Sequence, residues 1–327
     1  AGADTGCELN VDFNPENFYL EGDFAAILAG MTGEYYKTDR PFTVGFTPLF
    51  FQNGLWMNDA IIGGAFAFPA LNSKPLDISN MDFTIFAGFD DVNNRAVVDA
   101  GGAVADHNVN VYGATGFIET REGYIEGGIG MIDVDDDKLG DQDLYSAALA
   151  WSARYKDIAS YSVRGFASYQ NRDDGAQTLG KGYALLLETS WNTSQPYTLI
   201  PYANFFLGID RPQGLAGADG LLKNTGINFE SDGLTGFPFL DDSAADAFGG
   251  AIGIQYLGAL DRQLVVEVAT VQEFGNDSNI AGNQYALGVR WQLPVSQAWI
   301  IRADAMAGLR NNADNVFGAR FEVRRKF

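Results

Sequence analysis

Residues 284–293, QYALGVRWQL, decide the fold. The odd-numbered positions carry Tyr285, Leu287, Val289, Trp291 and Leu293, whereas the side chains between them are small, charged or polar. Alternation with a period of two predicts a β-strand with one apolar and one polar face. An ordinary strand has about five or six residues. A run of about ten has the length that a tilted strand needs to cross a bilayer.

The same alternation recurs along most of the chain and predicts fifteen strands. Segment 144–155, LYSAALAWSARY, also fits a short amphipathic helix because of its alanines, but its neighbours favour a strand. The predicted strands are 18–28, 42–51, 60–69, 81–89, 108–118, 123–133, 144–155, 159–170, 182–192, 198–209, 247–257, 262–273, 284–293, 297–310 and 316–327.

The connectors between these strands alternate in length. Short ones lie at 120–122, 156–158, 193–197, 260–261 and 294–296, and longer, mostly acidic ones lie at 90–107, 134–143, 171–180, 211–246 and 275–282. Outer-membrane barrels show this alternation, because their periplasmic turns are short and their external loops are long. The sequence therefore predicts an all-β protein, an antiparallel up-and-down transmembrane β-barrel.

The number of strands and the domain boundaries follow from this pattern. Single-chain bacterial barrels have an even number of strands, so we expect about 16, with 14 and 18 as alternatives. The missing strand is expected in the first 36 residues, where CELNVDF at 7–13 is one candidate, or at 95–104. We expect an N-terminal segment at 1–17, with room for an extra strand, and a single barrel domain at 18–327.

Composition excludes several classes of protein. The chain of 327 residues has 21 Lys and Arg against 42 Asp and Glu, a net charge of -21, which repels nucleic-acid phosphates. The sequence has no run of about 18 apolar residues, so no transmembrane helix is predicted. Cys7 is the single cysteine, so no internal disulfide is possible. No basic and apolar leader is present, as expected of a mature exported chain or a cytosolic one.

Aromatic side chains flank the short turns on the apolar face. Amphipathic rings are typical of the headgroup depth of a membrane. The alternative is a large soluble β-sandwich that uses tryptophan to fill its core. The predicted membrane-interface residues are Trp191, Tyr197, Trp291, Trp299 and Phe327.

The opposite face of the strands carries charge and predicts a polar lumen. A ladder of fixed charges sets up a transverse field that orients and sorts polar solutes. The alternative is that salt bridges merely satisfy charges that cannot face lipid. The pore-lining candidates are Arg164, Glu188, Glu267, Arg290, Arg302, Asp304, Arg320, Glu322 and Arg324.

Two long connectors, 90–107 and 211–246, are candidates for folding inward to narrow the pore, since loops of such length are usually functional or disordered. The alternative is an external cap over the barrel. The charged candidates in these connectors are Asp91, Arg95, Asp99, Asp106, Arg211, Asp232, Asp241 and Asp242.

No cofactor or catalytic motif is expected. DVDDDKLGDQD at 133–143 has Lys138 and Leu144 where a calcium-binding EF-hand needs glycine and glutamate. The alternatives for this loop are a solvated acidic segment and weak Ca²⁺ or Mg²⁺ bridging to lipopolysaccharide phosphates. His107 is the single histidine, and HExxH, GxSxG and P-loop patterns are absent. We therefore expect a protein that is not an enzyme.

Two stretches carry a resemblance to known proteins. The terminal FEVRRKF, 321–327, resembles the assembly signal of bacterial outer-membrane barrels. TPLFFQNGLWMNDAIIGGAFAFPA, 47–70, is similar to a segment of the alginate-export-type and related porins, in which a short loop joins a strand to a returning Gly-rich strand. The resemblance implies a porin. That family has an arginine-rich lumen that attracts a polyanion, whereas here arginines are mixed with carboxylates, which argues against a purely anionic cargo.

Together these features predict a porin for passive diffusion of small hydrophilic solutes across the outer membrane of a Gram-negative bacterium. The expected partners are outer-membrane lipid, lipopolysaccharide and the solutes, with a homo-trimer or another envelope protein as a further possibility; nucleic acid is not expected. Two alternatives stay open. One is a substrate-specific channel for an anionic saccharide, and the other is a plugged structural or partner-binding surface barrel.

Overall fold

A computed structural model describes residues 17–99, 102–105, 107–134, 142–172, 178–230, 235–275 and 281–325. These residues form fifteen strands and one α-helix, α1, at Phe24–Thr32. The strands are β1 Phe18–Asp23, β2 Pro41–Phe51, β3 Met57–Ser73, β4 Ile78–Asp90, β5 Val109–Thr120, β6 Gly123–Val134, β7 Leu144–Tyr155, β8 Ala159–Gln170, β9 Gly182–Trp191, β10 Leu199–Asp210, β11 Ala247–Leu257, β12 Gln263–Glu273, β13 Gln284–Pro294, β14 Trp299–Arg310 and β15 Val316–Arg325.

All fifteen strands belong to one antiparallel sheet in which each strand pairs with the next along the chain. Each segment predicted as a strand overlaps one of them. Within the described residues, the edge strands β1 and β15 do not pair with each other. The candidate for a further strand at 7–13, with Cys7, lies outside the described residues.

The sheet wraps around a single connector, residues 211–246. Asn58 on β3 donates its backbone N–H to the carbonyl of Ala216, and Ser168 on β8 accepts from the backbone N–H of Gln213. On the far side of the sheet, Arg302 on β14 donates to Glu230. Because strands from both halves of the sheet contact this one connector, the sheet curves into an up-and-down β-barrel with the connector in its lumen.

The outer face of the barrel is apolar, as the alternation in QYALGVRWQL predicts. Tyr285, Leu287 and Trp291 on β13 have exposed fractions of 47%, 49% and 38%, whereas Gln284 and Ala286 between them are only 2% and 4% exposed. The same parity holds across the pairing, because Leu287 lies opposite Val268 of β12, which is also exposed. The exposed apolar band covers the wall and is the lipid-facing surface of a transmembrane barrel.

The prediction of a single strand at 18–28 is wrong after residue 23. Asp23 ends β1 and caps α1, since its carboxylate accepts a hydrogen bond from the backbone N–H of Ala26 at 2.7 Å. Gly33 ends the helix in a left-handed conformation with φ 73° and donates to the carbonyl of Ala29. A polar N-cap and a C-terminal glycine are the usual helix boundaries, and here they override the β-pattern.

The connectors divide between the two ends of the barrel as predicted. The turns that join β5 to β6, β7 to β8, and β13 to β14 are short and define the periplasmic end, which also holds the link from α1 to β2. The connectors from β4 to β5 and from β10 to β11 are long and belong to the opposite end. No helix among the described residues is long and apolar enough to span a membrane.

The lipid-facing band predicts a depth-dependent cost for charge. Val268 lies near the middle of β12 and Leu264 near its periplasmic end, and both point outward. We expect Val268→Arg to lower the free energy of unfolding by about 2–4 kcal/mol and Leu264→Arg by about 0–1 kcal/mol, since water and headgroups reach the second position. Urea unfolding in lipid vesicles measures both. Equal costs at the two depths would contradict a hydrocarbon surface.

A charged lumen and an inward plug

The described residues of three connectors fill the extracellular half of the lumen, and we call them the plug: residues 52–56, 91–99, 102–105, 107–108, 211–230 and 235–246. Trp56, Leu215 and Phe229 in the plug are completely buried. They belong to one hydrophobic cluster with lumen-facing side chains of the wall, among them Val111 and Leu144. The lumen at this level is therefore an apolar core. The prediction of a polar lumen did not include such a core.

Glycines in the wall make room for the plug. A Cβ atom on Gly128 of β6 would overlap the ring of Trp56, and one on Gly288 of β13 would overlap the side-chain amide of Asn228. The indole N–H of Trp56 donates to Ser146 Oγ of β7 at 3.0 Å, so its polar atom is satisfied within the core. The wall and the plug are therefore complementary in shape at these two positions.

One stretch of the plug is attached to a buried carboxylate of the wall. Glu267 of β12 is completely buried and accepts hydrogen bonds from the backbone N–H groups of Ile227 and Asn228 at 3.1 and 3.0 Å. The side-chain amide of Asn228 and the hydroxyl of Tyr202 donate to it as well, at 2.9 and 2.5 Å. Charge-assisted bonds of this kind are about twice as strong as neutral ones, so Glu267 fixes the path of the connector.

A second attachment is an arginine cluster on strands β13 to β15. Asp304 lies opposite Arg290 and Arg320 in the register of the sheet. It accepts from Arg290 Nε at 2.8 Å, from Arg302 Nε at 2.8 Å and from Arg320 Nη2 at 2.6 Å. These side chains are nearly buried, with exposed fractions of 14% or less. Three guanidinium groups thus surround one carboxylate of the wall.

The plug supplies a further carboxylate to this cluster. Glu230 binds Arg290 Nη1 at 2.6 Å and Arg302 Nη2 at 2.9 Å. Burial acts to raise the pKa of Glu230, but the two guanidinium groups outweigh it, so the pKa lies below the ordinary value of 4.5. Glu230 therefore stays ionised at neutral pH and holds the connector against the wall.

Towards the periplasm the ladder continues through Glu322 and Arg324 of β15. Glu322 binds Arg320 Nε at 3.2 Å and Arg324 Nη2 at 2.7 Å. The guanidinium group of Arg320 also lies 4.7 Å from the ring centroid of Phe237 in the plug. The charges form a continuous row that begins under the plug and ends at Arg324, where half of the side chain is exposed.

The two long connectors are joined to each other within the lumen. Arg95 binds Asp242 at 2.6 Å, and Asp242 also accepts from the backbone N–H of Gly220 at 2.9 Å. Burial raises the pKa of Asp242, and Arg95 opposes that shift. Asn94 donates to the carbonyl oxygens of Gly214 and Leu215. These bonds order the connectors as a single packed unit.

Below the plug the lumen opens into a polar vestibule of about 1020 Å³ at the periplasmic end. Its roof is formed by Arg164 of β8, which binds Glu188 at 2.7 Å and Glu126 at 3.4 Å and donates to Gln52 of the plug at 2.9 Å. The vestibule is lined by lumen-facing side chains that include Phe117, Glu119, Tyr124, Arg154, Ser162, Arg164, Glu188 and Tyr202.

All nine predicted pore-lining residues lie on the lumen side of the wall. Arg290, Arg302, Asp304, Arg320 and Glu322 are brought together in the arginine cluster, with Arg324 next to it. Glu267, however, is completely covered by the plug rather than exposed to an open pore. Arg164 is also buried, at the roof of the vestibule, and Glu188 beside it borders the vestibule as well.

The predicted constriction residues divide into three groups. Arg95, Asp241 and Asp242 contact other parts of the plug or the wall. Asp91 and Arg211 begin the two connectors, and Asp99 lies in the middle of the first one. Asp91 is 3.8 Å from His107, and Asp99 accepts from the backbone N–H of Ala103. Asp106 and Asp232 lie outside the described residues.

The predicted interface aromatics are exposed at the surface, as expected for their position. Trp191, Trp291 and Trp299 are 37–42% exposed, and Tyr197 is 90% exposed on a periplasmic turn. Arg325 lies 5.5 Å from the ring centroid of Trp299. Phe327 is outside the described residues. His107 is largely exposed and lies 3.3 Å from Asp90 Oδ1.

The contacts of three important residues of the lumen could not be predicted from the sequence. Glu230 and Gln52 lie in connectors, and no strand periodicity indicates which way a connector side chain points. Trp56 had a detectable signal, because a tryptophan inside a short connector next to a glycine, in NGLW, is unusual on a solvated loop. Its burial against Gly128 is a contact between distant parts of the chain.

The fold and the lumen together define a class: a transmembrane up-and-down β-barrel with an inward plug and a charged wall. No family model matches the chain, and no curated protein matches its sequence.

Several solved structures share the fold. Pseudomonas aeruginosa OccK11 (OpdR) matches with a TM-score of 0.61 and 9% identity over 88% of this chain and 76% of its own. P. aeruginosa OccK5 (OpdH) matches with 0.56 and 11% identity over 90% and 80%. Wzi, an outer membrane protein involved in group 1 capsule assembly in Escherichia coli and a carbohydrate binding β-barrel, matches with 0.54 and 12% identity over 88% and 68%. The resemblance to alginate-export-type porins gains no support from these matches.

Glu267→Gln tests the attachment of residues 226–228. The substitution places a side-chain N–H₂ group among hydrogen-bond donors, so we expect a loss of about 1–3 kcal/mol from local stability. Hydrogen exchange at the amides of Ile227 and Asn228 should accelerate by the corresponding factor, read by mass spectrometry. Glu322→Gln on the same wall is the matched control and should leave these two amides unchanged. Unchanged protection in Glu267→Gln would contradict the attachment.

Glu230→Gln tests the charge contact between the plug and the arginine cluster. The neutral side chain loses its attraction to Arg290 and Arg302, and we expect faster tryptic cleavage after Lys223 than in the wild type. Since the pKa of Glu230 is lowered, its contribution is present above pH 4.5 and is lost as the pH falls through the folded-state pKa below that value. Exchange rates of residues 222–230 in the wild type and in Glu230→Gln should therefore differ at neutral pH and converge in acid. A constant difference would exclude this role of Glu230.

Proposed function

We propose that the chain is a channel of the Gram-negative outer membrane that passes small hydrophilic solutes through a lumen narrowed by the plug. The observation that carries this proposal is the position of Glu230: the arginine cluster of the wall is closed by a connector carboxylate at 2.6 and 2.9 Å, and not by another strand. A charged wall faced by a connector that is not part of the barrel is the arrangement of a pore with an internal constriction.

The polarity of the route supports hydrophilic solutes. The vestibule is lined by charged, hydroxyl and aromatic side chains. A separate row of charges on β15, Glu322 and Arg324, runs from the arginine cluster towards the periplasmic end. Selectivity would come from pore width and from the signs of the lining charges, and passage needs no cofactor. In the membrane, lipid and lipopolysaccharide would surround the apolar band.

The arginine cluster also supports the finer proposal of an anionic solute. A carboxylate-bearing solute would offer Arg290 and Arg302 the same bidentate contacts that Glu230 offers them. Such a solute would compete with the connector and shift the plug to a displaced state. The carboxylates of Glu188 at the vestibule and of Glu322 beside Arg320 would disfavour a polyanion, which limits the proposal to solutes of low charge.

The apolar core of the plug favours a second candidate, a closed barrel that binds a saccharide or a partner at the surface. Trp56, Leu215 and Phe229 are buried as deeply as residues of a soluble protein core, which is more than a passive constriction requires. Wzi, which shares the fold, is described as a carbohydrate binding β-barrel. In this alternative the plug is permanent and no solute crosses.

Conductance in planar lipid bilayers separates the two candidates. Arg154 lines the vestibule, whereas Lys156, two residues away in the periplasmic turn, has its ammonium group 5.4 Å from the ring of Tyr155 on the outer face. We expect stepwise ion conductance of the wild type and a shift of the reversal potential towards cations in Arg154→Glu. Lys156→Glu carries the same charge change and should shift it much less at a salt concentration of about 0.1 M, where charges beyond about 10 Å are screened.

The conductance of the wild type and of the variants distinguishes the channel from the closed barrel. A silent bilayer for the wild type and for Glu230→Gln would reject the channel and favour the closed barrel. Conductance with equal shifts in Arg154→Glu and Lys156→Glu would place the conducting path outside the vestibule.

A further inference from the structure

Helix α1 exposes an apolar surface at the periplasmic end of the barrel. Its sequence, FAAILAGMT, contains no charged residue, and only Ala25 is buried. Phe24, Ile27 and Met31 are 51%, 47% and 79% exposed, and their spacing places them along one side of the helix. Exposing this apolar side of the helix to water is unfavourable, because burying apolar surface away from water lowers the free energy.

The register of β1 and β2 shows on which face of the wall the helix lies. Leu20 pairs with Val44, and Gly22 pairs with Phe42, so these four positions share one face. That face is the outer one, because Leu20 and Val44 are 67% and 56% exposed and belong to the apolar band. A Cβ atom on Gly22 would lie 3.1 Å from Phe42 Cζ and 3.8 Å from Ile27 Cδ1. Ile27 therefore packs against the lipid-facing side of the barrel, outside the lumen.

The residues after the helix are typical of headgroup depth. Tyr35 and Tyr36 follow it and are 86% and 39% exposed. Arg40 returns the chain to β2, and its guanidinium carbon lies 5.4 Å from the ring centroid of Phe68, which has the outward parity of β3. Tyrosines and a basic side chain over an apolar surface mark the boundary between acyl chains and headgroups.

We propose that α1 lies in the periplasmic leaflet of the outer membrane, parallel to the bilayer, with phospholipid as its occupant. Nine residues of helix measure about 14 Å, too short to cross the hydrocarbon, but they suffice for an interfacial helix inserted about 5–10 Å deep. The apolar side of α1 continues the surface of Phe18 and Leu20, so one lipid phase covers both. The helix is thus a lateral extension of the barrel into the membrane. This proposal requires the transmembrane fold and is independent of whether the lumen conducts.

Fluorescence quenching by lipid tests the position of α1. The full chain carrying Cys7→Ser and Met31→Cys is labelled with bimane and reconstituted in phosphatidylcholine vesicles, at a low protein-to-lipid ratio, that contain lipids with a nitroxide at the headgroup or at the fifth acyl carbon. Leu149→Cys, in the middle of the apolar band, is the lipid control. Asp77→Cys is the aqueous control at the same end of the barrel, where the Asp77 side chain is 78% exposed in a turn. A second label at Ile27→Cys repeats the measurement.

We expect the label at position 31 to lose as much emission to the shallow nitroxides as the label at 149 loses to the nitroxide at the acyl carbon. The label at 77 should lose little with either lipid. Quenching at 31 and 27 that equals the quenching at 77 would overturn the proposal and place the helix in the periplasm. Conductance recorded on the same labelled samples shows whether the channel proposal stands or fails independently.

Discussion

The structure depends on one constraint: a strand in hydrocarbon must bond its backbone to neighbouring strands, and its side chains must alternate between lipid and lumen. Once Leu287 and Trp291 face lipid, Gly288 and Arg290 have no other direction than the lumen. The antiparallel pairing then transmits this choice, because Arg290 must face Asp304 and Asp304 must face Arg320. A lipid-facing arginine at mid-depth would cost about 2–4 kcal/mol, so the parity of each strand is strongly determined.

The same constraint places charged side chains in the lumen. Arg290, Arg302 and Arg320 are nearly buried around a single Asp304, and removing guanidinium groups from water costs several kcal/mol each unless carboxylates compensate. Glu230 supplies the missing negative charge from a connector. Electrostatics and apolar burial therefore act in the same direction, since the segment that carries Glu230 also carries Phe229 into the core. The plug is a structural complement of the wall.

The sequence predicted the parts of this structure that depend on local periodicity. The positions of fifteen strands, the lipid-facing set on most of them and the meeting of Arg290, Asp304 and Arg320 follow from a period of two and antiparallel order. The period could not assign the lipid-facing set of the predicted strands 108–118 and 123–133, because neither face of these strands is strongly apolar or polar. The strand prediction failed for residues 24–32 because an all-apolar stretch satisfies both helix and strand patterns. The deciding signals were single residues, Asp23 and Gly33. The apolar core of the lumen was not predicted for another reason. The pattern alone could not show that Val111 and Leu144 face an apolar core inside the lumen. Their partners Trp56 and Leu215 come from connectors distant in sequence.

The plug divides into a fixed and a displaceable part, and the difference determines how a solute would cross. Residues 213–217 pair with the wall and with the other connector through the bridges from Met57 to Ala216 and from Asn94 to Gly217, and through the two bonds of Asn94. Among the described residues, 219–230 form no such bridge and are held by Asp242, by Glu267, by the arginine cluster and by apolar burial. Exposing Leu222 and Phe229 would cost about 3–6 kcal/mol. In the proposed channel, an open path along β12–β15 would therefore be a minor state, and a solute would populate it only by binding it better than the closed state.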